Sequence, residues 1–212
     1  MAEQQQTLTI QQAIDLAVQH HKAGRLPEAE NIYQQILQTN PDQPIALHLL
    51  GVIAHQVGRN DTAIDLIARA LALNPDLAEA HSNLGLALSD FERLDEAVSH
   101  CQKAIDLKPD FAEAHNNLGN ALQDLGKPEE AIAGYRKALS LKPDYPEAHN
   151  NLGSALVQKR QLRQALTHYR KAVEINPQFA AAHKNLGLTL KAAGKMVEAR
   201  KHLRLARQLA RR

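Results

Sequence analysis

A repeat of 34 residues runs along almost the whole chain and restricts what it can fold into. The tripeptide Asn-Leu-Gly recurs at this interval, at residues 83–85, 117–119, 151–153 and 185–187. A proline recurs with the same spacing, as Pro41, Pro75, Pro109, Pro143 and Pro177. A period of this length indicates a repeat protein, in which each unit buries its apolar face only against its neighbours. The register predicts a leader at 1–9 and a single domain at 10–212, made of six repeats at 10–43, 44–77, 78–111, 112–145, 146–179 and 180–212.

Each repeat has the pattern of two amphipathic helices joined by a short turn, which predicts an all-α chain. The proline cannot continue a helix and restricts the residue before it, so it ends each unit. A glycine in the middle of a helix costs about 0.5–1 kcal/mol relative to alanine. Close approach of a neighbouring helix explains the glycines of the first helices, which are Gly51, Gly85, Gly119, Gly153 and Gly187. The leucines that precede them are expected in the core, and so is Leu16 in repeat 1.

With the 34-residue period, the Leu-Gly pairs and the closing prolines, the chain resembles the tetratricopeptide repeat family over residues 10–212. The resemblance implies a right-handed α–α superhelix, a solenoid of tandem helix–turn–helix repeats whose first helices line the concave side. The family's early aromatic residue is replaced here by His81, His115, His149 and His183, which predicts a change in packing detail. The turn glycine is replaced by Glu92 and Arg160, which predicts mild backbone strain if those turns need positive φ.

The two ends of the array differ from its interior. Thr9 and Gln12 have the spacing of a capping box for the first helix. In the last repeat, Arg200 and Arg207 replace apolar core residues, and Glu30 does so in the first. Because no neighbour covers a terminal repeat, its outer face has to be polar. These substitutions predict that the array ends in polar caps, although stacking of exposed end helices would also allow homo-oligomers.

Asparagines align at position 6 of the first helix, counted from the first residue of each repeat. Alanine would stabilise an exposed helical site better than asparagine does. The recurrence of asparagine therefore predicts that its side-chain amide has a function. An amide offers two donors and an acceptor, which match the N–H and C=O groups of an extended peptide. The predicted peptide-binding residues are Asn83, Asn117, Asn151 and Asn185, with Asn116, Asn150 and Asn120 beside them.

This row is similar to the asparagine ladder in the superhelical repeats of protein O-linked N-acetylglucosamine transferases. That resemblance implies a groove that holds a partner's backbone with little regard to its sequence. The sequence therefore predicts an interaction scaffold or adaptor that binds an extended or helical segment of another protein. Two alternatives stay open at this point: a module that recruits substrates for a glycosyltransferase acting in trans, and inherited asparagines that only hydrogen-bond to a neighbouring helix.

Charge is distributed unevenly along the chain. Residues 191–212 hold eight Lys or Arg and one acid, whereas the remainder has 17 bases and 22 acids. The acidic remainder and the few aromatic residues, 3% of the chain, disfavour nucleic acid as a partner. The basic end is interpreted as a solubilising cap, with binding to an anionic surface as the alternative. No run of about 20 apolar residues and no signal peptide is visible, which predicts a cytoplasmic protein without a membrane span.

The sequence shows no pattern of residues for catalysis. It has no phosphate-binding glycine loop, nucleophile elbow or dinucleotide fingerprint, and its only cysteine, Cys101, falls at a core position. The four position-4 histidines lie on successive helices, about 8–10 Å apart at the axes, too far apart to share a zinc ion with ligands at about 2.1 Å. The chain is therefore predicted to be a non-enzyme without a metal, a cofactor or a small-molecule substrate.

Overall fold

A computed structural model describes residues 8–211 of the chain. These residues form twelve α-helices and no strand. The helices are α1 Ile10–Lys22, α2 Leu26–Thr39, α3 Pro44–Gln56, α4 Asn60–Leu73, α5 Ala78–Asp90, α6 Leu94–Leu107, α7 Ala112–Asp124, α8 Pro128–Leu141, α9 Pro146–Gln158, α10 Leu162–Ile175, α11 Ala180–Ala192 and α12 Met196–Leu209. Two helices therefore fall in each 34-residue repeat, as the sequence predicts. Of the predicted leader at 1–9, residues 1–7 lie outside the described residues.

The helices pack in order along the chain. Each first helix contacts its own second helix, and each second helix contacts the first helix of the next repeat. Successive first helices also contact each other, as α5 does with α7, whereas successive second helices make no comparable contact within residues 8–211. Because only the first helices come this close, the stack curves towards them, and they line its inner, concave surface.

The mid-helix glycines are explained by close approach of the second helix in the same repeat. A Cβ on Gly119 would lie 2.6 Å from the Tyr135 ring, and one on Gly51 would lie 2.6 Å from Ile67 Cγ1. Real Cβ atoms do not approach other heavy atoms this closely, because cores are already packed to crystal density. The steric prediction for these glycines is confirmed.

The turns between the two helices of a repeat adopt a left-handed backbone. Gly24, Gly58, Gly126 and Gly194 have φ between 74° and 78°. Glu92 and Arg160, which replace glycine in the other two turns, adopt φ of 57° and 59°. Left-handed conformations of residues with a Cβ cost about 1–2 kcal/mol, so the predicted strain is present at both residues.

At the N-terminal end the predicted capping box is formed. Thr9 Oγ1 accepts from the backbone N–H of Gln12 at 3.2 Å, and Gln12 Oε1 accepts from the N–H of Thr9 at 2.9 Å. The core prediction for Leu16 is wrong, since the residue is 36% exposed while Leu50 and Leu84 at the same repeat position are buried. Within the described residues no helix pair precedes α1, and the face that carries Leu16 is therefore uncovered.

Candidate functional site

The concave surface brings the predicted asparagines into one row of hydrogen bonds. In repeats 3 to 6 each position-6 asparagine bonds a residue 35 positions earlier, at position 5 of the preceding repeat, whereas position 6 of the first two repeats holds Asp15 and Leu49. Asn83 Nδ2 donates to His48 Nε2 at 2.9 Å, and Asn117 Nδ2 donates to Ser82 Oγ at 3.1 Å. The row continues with Asn151 Nδ2 to Asn116 Oδ1 at 3.2 Å and Asn185 Nδ2 to Asn150 Oδ1 at 2.9 Å.

The remaining predicted residue, Asn120, joins the same row. Its Oδ1 accepts from Asn151 Nδ2 at 2.9 Å and from the Tyr135 hydroxyl at 2.9 Å. Asn150 Nδ2 donates to Asn151 Oδ1 at 3.3 Å. All seven predicted residues therefore lie along one surface, and each is either bonded across a repeat boundary or bonded to a neighbour that is.

The row has a structural role, since it ties each first helix to the next. Asn116, Asn117 and Asn150 are buried, with 4%, 9% and 8% exposure, whereas Asn83, Asn151 and Asn185 are half-buried. Buried amides have to be hydrogen-bonded because desolvation would otherwise destabilise the fold. The hydrogen bond to a neighbouring helix, which the sequence left open as an alternative, is thus present.

The same geometry leaves the amide oxygen unbonded in three of the four position-6 asparagines. Within residues 8–211, Oδ1 of Asn83, Asn117 and Asn185 forms no hydrogen bond. Each of these three oxygen atoms keeps some exposure to solvent. Each of these amides has its orientation set by the bond that its Nδ2 donates. The row therefore presents oriented carbonyl oxygens that can accept from the N–H groups of a second chain.

A second row of cross-repeat bonds lies two turns further along the first helices, between position 12 of one repeat and position 13 of the next. His21 Nε2 pairs with Gln56 Oε1 at 2.9 Å, and His55 Nε2 pairs with Asp90 Oδ2 at 2.8 Å. Ser89 Oγ donates to Asp124 Oδ2 at 3.5 Å, and burial raises the pKa of that carboxyl. The 34-residue register does not reveal this row, because its partners lie 35 residues apart.

The rows border a groove of about 580 Å³ between repeats 2 and 3. Its lining combines apolar side chains, among them Val52 and Leu86, with polar ones, among them Asn83 and Asp90. Clefts with an apolar lining and a few convergent polar groups are the usual form of binding sites. This stretch of the concave surface can therefore take an apolar side chain beside a polar backbone.

Pairs of histidines occupy the position where the early aromatic residue is expected. His81 Nε2 donates to the carbonyl oxygen of Pro75 at 3.1 Å, and its Nδ1 faces His100 Nδ1 at 2.9 Å. The two rings stack with centroids 5.1 Å apart. The same pairing recurs in His149–His168 and His183–His202. Burial lowers the pKa of His81 and of His100, which favours the neutral form of both rings, and the stacked pair packs where the aromatic side chain is expected.

Neither metal chemistry nor thiol chemistry is suggested by the remaining side chains. Across residues 8–211 no three or more His, Cys, Asp or Glu side chains are grouped to hold a metal ion. Cys101 is fully buried against Gly85, and burial raises the pKa of its thiol to about 12. A nucleophilic cysteine needs a stabilised thiolate in an accessible site, so the interpretation of Cys101 as a buried structural thiol is confirmed. No helix in the described part of the chain is long and apolar enough to cross a membrane.

Comparisons with known proteins identify the repeat. A family described as "Tetratricopeptide repeat" matches residues 20–87, and one described as "TPR repeat" matches 92–126, 119–160 and 153–194. Together these segments cover well over half of the chain. No curated protein matches the sequence.

Several solved structures share the fold. The crystal structure of MamA is 27% identical, with a TM-score of 0.62, and the match covers 77% of this chain and 96% of that one. A thermophilic TPR protein of Thermus thermophilus is 26% identical, with a TM-score of 0.73 over 86% of this chain and 100% of that one. PilW, a type IV pilus biogenesis factor, is 22% identical, with a TM-score of 0.81 over 92% and 91%. These matches confirm the predicted superhelix of tandem helix pairs, and they do not show the specific resemblance to the transferases.

Proposed function

Because the chain belongs to the tetratricopeptide repeat family, whose members serve as protein-interaction scaffolds, we propose that its concave groove binds an extended segment of another protein through the asparagine row. Oδ1 of Asn83, Asn117 and Asn185 accepts backbone N–H groups of the bound segment. Val52 and Leu86 receive an apolar side chain near the N-terminal end of the groove. The protein acts as an adaptor, without chemistry of its own.

This proposal rests on the different roles of the two polar atoms in each of these three amides. Nδ2 bonds the preceding repeat and holds the side chain in one orientation, while Oδ1 has no partner within residues 8–211. Fixing a side chain before binding removes an entropy cost of about 0.5–1.5 kcal/mol for each group. A row of such acceptors recognises backbone and tolerates differences in partner sequence.

The experiment starts from peptides selected against the full chain from a random display library. Their dissociation constants are measured with the wild type and with a variant carrying Asn83→Ala, Asn117→Ala and Asn185→Ala. We expect the variant to weaken binding at least tenfold, about 1.4 kcal/mol. A matched control removes the exposed amides Gln34 and Gln102 of the second helices, and we expect it to bind like the wild type.

A second measurement leaves the protein intact and changes the peptide. Methylation of the backbone nitrogens that face the row removes the donors, and we expect a loss similar to that of the triple variant. Unchanged affinity for the methylated peptide would show that the asparagines only join the repeats. The alternative role, recruitment of substrates for a glycosyltransferase acting in trans, uses the same groove and would be marked by co-purification of such an enzyme.

A further inference from the structure

An open groove of about 540 Å³ lies at the C-terminal end of the stack, between α11 and α12. Its floor is apolar: Leu188 is 48% exposed, Leu203 is half-buried and Ala206 is buried. Lys184, Lys191 and Arg207 surround this floor, and the remaining lining residues are Ala180, Ala181 and Ala210. Among residues 8–211 no acid lines the groove.

The interior of the array shows what such a groove accepts. In repeats 1 to 5 the residue at position 24 is fully buried, as with Tyr33, and in repeat 6 the same position is the half-buried Leu203. Tyr33 shares a core cluster with Ala46, Leu50 and Ile53 of the following first helix. These three residues lie at positions 3, 7 and 10, on one face of α3. The groove at the C-terminal end is therefore shaped for a helix with apolar residues at i, i+4 and i+7.

The basic residues that line the groove determine which charge the docking helix must carry. In the interior of the array, position 5 of one repeat bonds position 6 of the next, as in His48–Asn83. Position 12 likewise bonds position 13 of the next repeat, as in His55–Asp90. In repeat 6 the residues at position 5 and position 12 are Lys184 and Lys191, which can only donate. Neither lysine forms an ion pair with any side chain of residues 8–211, and neither does Arg207. A helix seated here needs carboxylates at the positions that face them.

We propose that the groove between α11 and α12 docks an acidic amphipathic helix of another protein. Its apolar residues at i, i+4 and i+7 cover Leu188, Leu203 and Ala206. Its carboxylates at i+3 and i+10 pair with Lys184 and Lys191. This surface lies beyond the last bond of the asparagine row, at the C-terminal end of the stack, and gives the scaffold a second partner.

A second copy of the chain fits this groove poorly. Within residues 8–211 α1 is the first helix that no preceding helix pair covers, and it carries Gln12 and Gln19 at positions 3 and 10, where the interior repeats have buried small or apolar residues. Lys22 stands at position 13, where it would face Lys191. Only Asp15 and Leu16 match the required pattern. The occupant is therefore a different protein with acids at both positions.

The test uses the full chain and a designed helical peptide of about 18 residues, long enough to form helix in water with strong helix formers. The peptide carries Ala at i and i+7, Leu at i+4, and Glu at i+3 and i+10. We expect it to bind the wild type and to lose at least tenfold in affinity for the variant Lys184→Glu with Lys191→Glu. A peptide with Lys at i+3 and i+10 should recover binding to that variant.

The matched control has the same change of charge on exposed lysines of other helices, Lys103→Glu with Lys137→Glu. An equal loss for this control would show that net charge and not the groove attracts the peptide, and would overturn the proposal. The wild-type chain is also mixed with phosphatidylserine vesicles. If it binds them tightly and the peptide does not displace them, the proposal is overturned in favour of an anionic membrane surface. A wild-type chain that forms oligomers in sedimentation analysis, lost in the Lys184/Lys191 variant, would overturn it in favour of a second copy.

Discussion

The hydroxyl of Tyr135 donates a hydrogen bond of 2.9 Å to Oδ1 of Asn120, fifteen residues earlier in the same repeat. Tyr169 and Ser154 form the corresponding bond in the next repeat at 3.1 Å. Tyr33 occupies this position in repeat 1, but the residue fifteen positions before it is Val18. The Tyr33 hydroxyl is accordingly buried without a partner within the described residues. The same side chain therefore stabilises one repeat and leaves a polar group unsatisfied in another.

Replacing these tyrosines should have opposite effects on stability. We expect Tyr135→Phe to lower the free energy of unfolding by about 1 kcal/mol, because a net favourable hydrogen bond is lost. Tyr33→Phe should raise it by up to about 1 kcal/mol, because an unsatisfied hydroxyl is removed. Urea unfolding followed by circular dichroism measures both changes, and each variant serves as the control for the other. Equal destabilisation by both would contradict the assignment.

The two strained turns should be improved by glycine. Glu92→Gly and Arg160→Gly remove the cost of a left-handed residue with a Cβ, about 1–2 kcal/mol, and part of this gain is offset by the entropy of glycine in the unfolded chain. We expect each to raise the free energy of unfolding by about 0.5–1 kcal/mol in thermal or urea unfolding. Gly58→Ala is the matched control: no atom lies within 4 Å of the added Cβ, and φ is +78°. It should destabilise through backbone strain alone.

His48 should make stability depend on pH. Burial lowers the pKa of His48 from 6.5 to about 4, and its neutral Nε2 accepts from Asn83. Between these pH values the unfolded chain binds the proton and the folded chain does not, so stability rises with pH in this window. We therefore expect the free energy of unfolding to fall as the pH is lowered from about 6.5 towards 4.

A matched variant isolates the contribution of His48. His48→Ser places at position 5 the residue that repeat 3 has there, where Ser82 accepts from Asn117. The variant keeps an acceptor for Asn83 and removes the titrating group, so we expect a shallower dependence of stability on pH below 6.5. A slope identical to that of the wild type would show that the paired histidines or other groups dominate this range.

Cys101 should report the opening of the central repeats. It is fully buried, and burial raises the pKa of its thiol to about 12. We expect alkylation by iodoacetamide to be slowed by about a thousandfold or more relative to the urea-unfolded chain, because reaction requires unfolding of the region around Gly85. Mass spectrometry over time measures the rate. Rapid alkylation of the folded chain would contradict the burial of this thiol.

Local chemistry made much of the fold predictable. The glycines at 34-residue intervals predict a close helix contact, since only a missing Cβ explains them, and Gly119 against Tyr135 confirms it. Glu92 and Arg160 align with turn glycines, and their positive φ follows from the register. In each case the repeat itself supplies the comparison, because equivalent residues occupy equivalent surroundings.

Other features depend on what surrounds a residue. Leu16 has the same repeat position as the buried Leu50 but is exposed, because burial depends on the helix pair that covers it. The pairing of Asn83 with His48 joins residues 35 apart. This offset comes from how successive first helices lie against each other, which no internal comparison of the sequence reveals.

The sequence by itself determined the helices, their pairing into six repeats and the alignment of asparagines along one surface, since these follow from periodicity and from the steric needs of glycine and proline. Only the tertiary structure decided which atoms of those asparagines are already bonded and which remain free. It also decided that Leu188 and Leu203 form an open apolar groove beside Lys184 and Lys191. The physical reason is that a repeat pattern states which residues are equivalent, whereas hydrogen bonds and burial depend on the neighbouring helix and on whether one is present.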